Sequence, residues 1–257
     1  MKILLIVASG KSSRFGGFPK AFCRIGNTCH VANTIQHALK VYDKVYLAVN
    51  NETYDSYKDL IPDCTMIHIN TGQGDAHSLL KCLKIIKELE KELKEISVCW
   101  GDAVFVDEKP FSQLLEQRRR ADSPVVIACA MDQKPYAWFE VSDDMCVKKA
   151  HFAREEGMVE SGIHDQSLFL FDMEFAVTYL SEYQKELGIP DENHTVYDEK
   201  REMKLLYSFE YLYSESRFPG AKIAFIESGK VFSFNTQEEL SEIKNILLPS
   251  TEEIEGC

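Results

Sequence analysis

Two cations near the start of the chain have the type and spacing that suit phosphate binding. Arg14 and Lys20 follow an apolar stretch, residues 3–7, that is typical of a buried parallel strand. Small residues end this stretch, so backbone N–H groups can approach the oxygens of a polyphosphate. The loop residues predicted to bind a nucleotide are Ala8, Ser9, Gly10, Lys11 and Ser12.

The spacing excludes two common phosphate-binding loops. A Walker loop requires a glycine five positions before Gly10, and that position is Leu5. The dinucleotide fingerprint G-x-G-x-x-G is also missing, because Ser12 stands where the second glycine belongs. What the loop does contain is G-x-x-x-R, with Pro-Lys ending six residues after the arginine.

Asp102 is the strongest candidate for a metal ligand. It follows an apolar stretch, residues 96–100, and Gly101, which places a carboxylate at the end of a predicted buried strand. Ligands of open α/β sheets bind at the carboxyl ends of the strands. Because Mg²⁺ takes one or two carboxylates together with substrate phosphates, Asp102 and a triphosphate would suffice to hold it.

The composition of the chain restricts the class of ligand and the cellular compartment that we expect. The 257 residues carry a formal charge of −12, which would repel a nucleic acid backbone, so a free nucleotide is expected rather than a polymer. The eight cysteines form no C-x-x-C pair and are expected to be reduced thiols. No stretch is apolar and long enough for a signal peptide or a membrane span. We therefore expect a cytoplasmic protein made of one domain, residues 1–257; a homodimer is left open.

Strands and helices alternate along the chain. Apolar runs at 2–7, 44–50, 96–100 and 123–130 predict strands, and the intervening amphipathic stretches predict helices, one of which Thr28 would cap. Thr236 followed by Glu239 predicts a capping box at the start of the last helix. This order predicts an α/β fold with a Rossmann-like, mixed but mostly parallel sheet flanked by helices. The less regular part, within about residues 131–220, is expected to contain the elements that bind the acceptor.

The motifs resemble those of the nucleotidyltransferase superfamily with a glycosyltransferase-A-like fold, which includes cytidylyltransferases and sugar-phosphate nucleotidyltransferases. G-x-x-x-R with Pro-Lys is similar to its phosphate-binding signature, and Gly101-Asp102 to its metal motif. The segment 72–79 resembles the one that grips the base in these enzymes, which implies roles for Gln73, Gly74 and Ser78. Gly162 matches a glycine that contacts the acceptor. Asn235 stands where the family often has an aspartate, which implies a neutral second metal ligand.

The resemblance implies a reaction. A phosphate oxygen of a small phosphorylated metabolite would attack the α-phosphorus of a nucleoside triphosphate, with CTP favoured, and release pyrophosphate. Arg14, Lys20 and Asp102 would be the catalytic residues: Lys20 at the α-phosphate, Arg14 at the β- and γ-phosphates, and Asp102 holding Mg²⁺. Further cations, at Lys148, Lys149 and Lys230, are candidates for binding the acceptor phosphate.

Two alternatives stay open from the sequence. A sugar-1-phosphate nucleotidyltransferase that uses UTP, dTTP or GTP would carry the same motifs. A non-catalytic regulator that binds nucleotide would also keep the fold, and Asn235 is the residue that favours it.

Overall fold

The computed structural model describes residues 1–10, 12, 15–57, 61, 64–70, 72–190 and 201–248. Of the predicted site residues, Lys11 and Arg14 lie outside this part. The strands in chain order are β1 (Ile3–Val7), β2 (Arg24–Ile25), β3 (Thr28–Cys29), β4 (Lys44–Val49), β5 (Thr65–His68), β6 (Glu95–Trp100), β7 (Ala103–Phe105), β8 (Val125–Gln133), β9 (Ala137–Val141), β10 (Val147–Phe152), β11 (Ser161–Asp172), β12 (Lys222–Phe225) and β13 (Val231–Ser233). The α-helices are α1 (His30–Ala38), α2 (Asn51–Tyr57), α3 (Asp75–Leu89), α4 (Lys109–Arg118), α5 (Ala153–Glu156), α6 (Met173–Glu186), α7 (Leu205–Ser214) and α8 (Gln237–Leu247).

Seven strands form the central sheet, in the order β12-β8-β11-β6-β1-β4-β5. Only β11 runs antiparallel to its neighbours, so the sheet is mixed and mostly parallel, as predicted. In register, Val7 at the end of β1 lies beside Trp100 at the end of β6. The loops that follow these two strands therefore leave the sheet side by side.

Helices cover both faces of the sheet. Because side chains alternate along a strand, Leu5 and Val98 face one side, where they pack against α3, α6 and α7. Leu4 and Ile6 face the other side and pack against α1 and α4. Both layers are buried, which explains why β1 is apolar at every position.

A small third cluster lies beneath the loop that follows β1. Phe15 and Ile25 pack there with Phe234 and with Leu240 and Ile243 of α8. The ring centroids of Phe15 and Phe234 are 5.6 Å apart. This cluster attaches the C-terminal helix α8 to the loop that follows β1. It thereby brings the segment around Asn235 close to the first loop.

Helix capping confirms one prediction and corrects another. Thr236 and Glu239 form a reciprocal capping box at the start of α8. Thr28, predicted as a cap, instead lies in β3, and Cys29 occupies the N-cap position of α1 without a side-chain hydrogen bond. The Thr28 hydroxyl donates to Oδ1 of Asn33, because the β2–β3 hairpin continues up to the helix.

The described residues contain neither a disulfide bond nor a membrane-spanning helix. None of the seven cysteines in the described ranges forms a disulfide bond. Within those ranges, every helix is too short or too polar to cross a bilayer.

Candidate active site

A cavity of about 650 Å³ opens at the carboxyl ends of β1 and β6. This is the edge at which ligands of open α/β sheets bind. The predicted site residues that line it are Ala8, Ser9, Gly10, Ser12, Lys20, Gly74, Ser78, Asp102 and Asn235. A second cavity of about 880 Å³ lies near the amino ends of the same strands, and none of these residues lines it.

Three predicted residues from distant parts of the chain converge on one point. The Nζ of Lys20 lies 2.9 Å from Oδ2 of Asp102, 3.1 Å from Oδ1 of Asn235 and 3.0 Å from the carbonyl oxygen of Phe234. An ammonium has three N–H donors, so all of them are used. The Lys20 side chain is largely buried and that of Asp102 is one-third exposed, which leaves the carboxylate accessible from the cavity.

Gly101 allows Asp102 to approach the first loop. A Cβ atom at position 101 would lie 2.5 Å from Cβ of Ala8, well inside van der Waals contact. The N–H of Gly101 donates to the carbonyl of Val7 at 2.9 Å. The glycine therefore lets the β6–β7 turn lie directly against the end of β1.

Asn235 is fixed from both sides. The preceding residue, Phe234, is completely buried, and its ring meets Phe15 and His30. The backbone N–H of Asn235 donates to the Glu239 carboxylate of the capping box. Burial and capping together hold the amide oxygen toward Lys20.

The His30 side chain positions Lys20 by a hydrogen bond to the backbone of Lys20. The Nε2 of His30 lies 2.9 Å from the carbonyl oxygen of Lys20. Burial lowers the pKa of His30 to about 4, so the ring is neutral at pH 7. A neutral ring facing a carbonyl must carry its proton on Nε2, which identifies His30 as a donor. The sequence motifs do not include His30. From the sequence alone, a histidine beside the apolar residues of a helix is indistinguishable from a histidine that is simply buried in the core.

The first loop closes on itself around Ser12. Its carbonyl accepts hydrogen bonds from the N–H groups of Phe15 and Gly17, and its hydroxyl oxygen accepts one from the N–H of Lys20 at 3.3 Å. Ser12 adopts a φ of 47°. Ala8, Ser9, Gly10 and Ser12 all line the cavity, with Ser9 buried.

The segment before α3 is held rigidly. Gly74 has a φ of 105°, and a Cβ there would lie 2.4 Å from the Met203 carbonyl oxygen. The Ser78 hydroxyl donates to the carbonyl of Gly74 and accepts from the N–H of Gly72.

Gln73 is buried and does not line the cavity: its N–H donates to Nδ1 of His77, and its carbonyl accepts from the N–H of Met203. Both backbone groups of Gln73 are thus used within the protein.

The candidate acceptor residues lie away from the cavity. Lys148 pairs with Glu140, Lys149 lies 3.4 Å from Glu156, and Lys230 lies 3.1 Å from Asp107. Gly162 packs against Trp138, where a Cβ would lie 2.8 Å from that side chain. None of the four predicted residues lines the cavity, so the structure gives their assigned role no support.

Other residues line the cavity that the motifs did not single out. They are two aromatic residues, two carboxylates and a hydroxyl: Trp100, Tyr136, Asp75, Glu202 and Ser167. No sequence pattern links them, because they come from five separate segments. Tyr136, Ser167 and Glu202 do fall within residues 131–220, the region expected to bind the acceptor.

The oxygen atoms around Lys20 are a donor set that suits a hard cation. A carboxylate, an amide oxygen and a backbone carbonyl already surround the ammonium, and Mg²⁺ binds the same oxygen types. No group of three or more His, Cys, Asp or Glu side chains suited to a metal occurs in the described residues. A cation held here would therefore depend on Asp102, neutral oxygens and the substrate's phosphates.

Comparison with known proteins identifies the family. A model of the MobA-like NTP transferase domain matches residues 4–166, which include the first loop, Lys20 and Asp102. The chain belongs to the MobA-like NTP transferase family. No curated protein shows significant sequence similarity to this NTP transferase.

Solved structures share the fold of this NTP transferase across its length. HddC from Yersinia pseudotuberculosis, complexed with GMP-PN, superimposes with a TM-score of 0.69 at 15% identity, covering 96% of this chain and 99% of HddC. The inositol-1-phosphate CTP transferase from T. maritima gives 0.70 at 14% identity, covering 96% and 95%. The 4-diphosphocytidyl-2C-methyl-D-erythritol synthase from Anaerococcus prevotii DSM 20548 gives 0.62 at 17% identity, covering 96% and 98%. These likenesses confirm the predicted glycosyltransferase-A-like nucleotidyltransferase fold.

Proposed function

We propose that this NTP transferase joins the nucleoside monophosphate of an NTP, with CTP favoured, to a small phosphorylated metabolite. The observation that carries the proposal is the convergence of Lys20, Asp102 and Asn235 on one point of the cavity that the first loop borders. An ammonium and a carboxylate fixed at the mouth of a polyphosphate-binding loop are the groups that such a transfer requires.

The reaction is a displacement at phosphorus. A phosphate oxygen of the acceptor forms a bond to the α-phosphorus, and the bond from that phosphorus to the oxygen bridging the α- and β-phosphates breaks. Pyrophosphate leaves with the bonding electrons, and the acceptor phosphate, already ionised near neutral pH, needs no general base. The protein contributes position and charge neutralisation, and forms no covalent intermediate.

Lys20 has a specific part in this step. Its three donors are occupied by Asp102, Asn235 and the Phe234 carbonyl, so binding of the α-phosphate requires one of these contacts to be exchanged. Asp102 is the contact to exchange, because its carboxylate is then free for a cation that accompanies the nucleotide. The Phe234 carbonyl and Asn235 would keep the ammonium in place.

Asp102 and Asn235 would hold Mg²⁺ when it is bound. The metal would neutralise the triphosphate and polarise the α-phosphorus. Arg14 is proposed to bind the β- and γ-phosphate oxygens, and Lys11 to assist in holding the pyrophosphate. In the described part of the loop, the exposed backbone near Gly10 is where the phosphates would lie.

Two structures that share the fold support the preference for CTP. Two of the structures that share the fold are named for cytidylyl transfer, whereas HddC was crystallised with a guanine nucleotide analogue. A sugar-1-phosphate nucleotidyltransferase using another base is therefore the second candidate. GTP, UTP and dTTP belong in every test alongside CTP.

Pyrophosphate release tests the proposal. The protein is incubated with Mg²⁺, each NTP in turn, and a panel of phosphorylated sugars, polyols and amino alcohols. We expect pyrophosphate and a diphosphate-linked product in equal amounts with at least one pair. Nucleotide binding without pyrophosphate from any pair would instead support a non-catalytic regulator.

A further inference from the structure

The cavity has an unusual charge balance. Among the lining residues that the structure describes, Lys20 is the single cation and is paired with Asp102. Two more carboxylates, Asp75 and Glu202, line the same cavity. The candidate acceptor lysines are paired with other carboxylates, and no cation of the described lining forms an ion pair with Asp75 or Glu202.

Glu202 is held at the cavity by its neighbour. The N–H of Met203 donates to the Gln73 carbonyl, and the Met203 carbonyl accepts from the N–H of Ala76. This double contact fixes the backbone next to Glu202 against the start of α3. The Glu202 carboxylate is half-buried and makes no hydrogen bond or ion pair with any described residue.

Asp75 faces the same space. One of its oxygens, Oδ1, accepts from the N–H groups of Ala76 and Leu205, which leaves Oδ2 without a partner in the described chain. The surrounding protein and the negative charge of Glu202 raise the pKa of Asp75 to about 6, although its carboxylate is open to the cavity. Bringing a positive charge between the two carboxylates would remove this mutual repulsion.

Two aromatic side chains also line the cavity. Tyr136 is 53% exposed, and its hydroxyl makes no hydrogen bond within the described residues. Its ring is supported edge-on by His164, at 5.4 Å between centroids, and His164 in turn contacts Asp132 at 2.9 Å. Trp100 lines the cavity next to Asp102 and packs on Phe169 at 5.6 Å. Both rings therefore line the cavity while packing against another ring.

Aromatic faces together with unpaired carboxylates are the groups that bind an organic cation. We propose that the acceptor is a phosphorylated amino alcohol, whose ammonium lies between Glu202, Asp75 and the rings of Tyr136 and Trp100. This proposal rests on the proposed function, since the acceptor's phosphate must reach the nucleotide near Lys20. A neutral polyol phosphate could hydrogen-bond the carboxylates, but it would leave their charges uncompensated, and a second anionic group would be repelled.

Paired substrates test the charge directly. Pyrophosphate release is measured with phosphocholine, phosphoethanolamine and 3,3-dimethylbutyl phosphate, in which a neutral tert-butyl group replaces the trimethylammonium group of phosphocholine. We expect kcat/KM for at least one of the two amino-alcohol phosphates to exceed that of the isostere at least tenfold. Equal rates for the isostere, or turnover of sugar phosphates alone, would overturn the proposal while leaving nucleotidyl transfer intact.

A binding measurement distinguishes failure of the cation site from failure of the proposed transfer reaction. The chain has two tryptophans, so Trp138→Phe leaves Trp100 as the fluorescent reporter of the cavity. Choline should change this fluorescence at concentrations at least fivefold lower than 3,3-dimethylbutanol, without any need for turnover. If no acceptor yields pyrophosphate but choline binds in this way, the cation site stands and the transfer reaction fails; equal binding of the two alcohols refutes the cation site.

Substitution of Glu202 locates the charge. Glu202→Gln should raise the KM for the amino-alcohol phosphate, and the choline concentration for half-maximal binding, at least fivefold, with the KM for the NTP unchanged. Glu186→Gln is the matched control, because Glu186 is exposed at the end of α6 and does not line the cavity. An unchanged acceptor KM in Glu202→Gln would contradict the assignment.

Discussion

The Nζ of Lys20 lies 2.9 Å from Oδ2 of Asp102, although the two residues are 82 positions apart in the sequence. The contact joins the loop after β1 to the turn after β6. It exists because these neighbouring strands end in register, and because Gly101 permits the turn to approach Ala8.

Removing either member of this pair should abolish most of the activity. Lys20→Ala and Asp102→Ala are each expected to reduce kcat by about a hundredfold or more, because each removes a preorganised charge at the reacting phosphate. Steady-state pyrophosphate release measures the loss. Lys40→Ala is the control, since Lys40 forms a comparable ion pair with Glu108 at 3.0 Å outside the cavity. Near-normal turnover in either site variant would reject the assigned roles.

The double variant Lys20→Ala/Asp102→Ala should be less damaged than the product of the two single losses. Residues that act on one reacting group as a unit show strongly non-additive effects. A full double-mutant cycle on kcat/KM measures the coupling. Strictly multiplicative losses would show that the two charges act independently, despite their contact.

Replacement of Asn235 by aspartate should strengthen cation binding. Asn235 supplies a neutral oxygen 3.1 Å from the ammonium, and Asn235→Asp would place a second carboxylate beside Asp102. We expect Mn²⁺, measured by electron paramagnetic resonance in the presence of nucleotide, to bind about threefold to tenfold more tightly, as an added charge in a half-exposed site would give. Asn33→Asp, a change in α1 outside the cavity, should leave Mn²⁺ binding unaltered. Unchanged affinity in Asn235→Asp would remove Asn235 from the set of metal ligands.

Protonation of His30 should lower the free energy of unfolding in mild acid relative to pH 7. Its pKa falls from an ordinary 6.5 to about 4 on burial, so the unfolded state binds more protons than the folded state between these values. Stability is therefore complete above pH 6.5 and is lost as the pH falls toward 4, by about 2 kcal/mol between pH 7 and pH 5.

Urea unfolding at pH 7 and pH 5 tests this dependence. His30→Gln keeps a side-chain N–H that can donate to the Lys20 carbonyl but cannot take up a proton. The variant should lose about 2 kcal/mol less than the wild type between the two pH values. The same slope in both proteins would mean that His30 is not neutral in the folded state.

A methyl group at position 101 should destabilise the fold and the site together. Gly101→Ala places a Cβ 2.5 Å from Ala8, so the β6–β7 turn must move away from β1. We expect a loss of about 1–3 kcal/mol in stability, as for other overpacked sites, measured by thermal unfolding. Gly10→Ala is the control for stability, because the space around Gly10 is open. Equal stability of the two variants would show that the turn does not depend on this close contact.

Local sequence patterns predicted much of this protein. The uniformly apolar β1 and the largely apolar β6 identified buried parallel strands, and the small residues after β1 identified the loop at its end. The Thr236 and Glu239 pattern correctly predicted the start of α8, because a capping box needs only residues three positions apart. The prediction that Thr28 caps the helix was wrong, because a short hairpin pairs Thr28 with Ile25 and the helix begins only after the hairpin ends.

The sequence by itself determined which chemical groups are present and which predicted strands they follow. The apolar pattern of a strand and the residues that come directly after it are local properties of the chain. Only the tertiary structure decided which of those groups meet. It joined Lys20, Asp102 and Asn235, assigned His30 to support the lysine, and gathered Glu202, Asp75, Tyr136 and Trp100 into one cavity while leaving Lys148, Lys149 and Lys230 outside. The physical reason is that a charge interacts over a few ångströms of space, whereas these residues are separated by tens of positions along the chain.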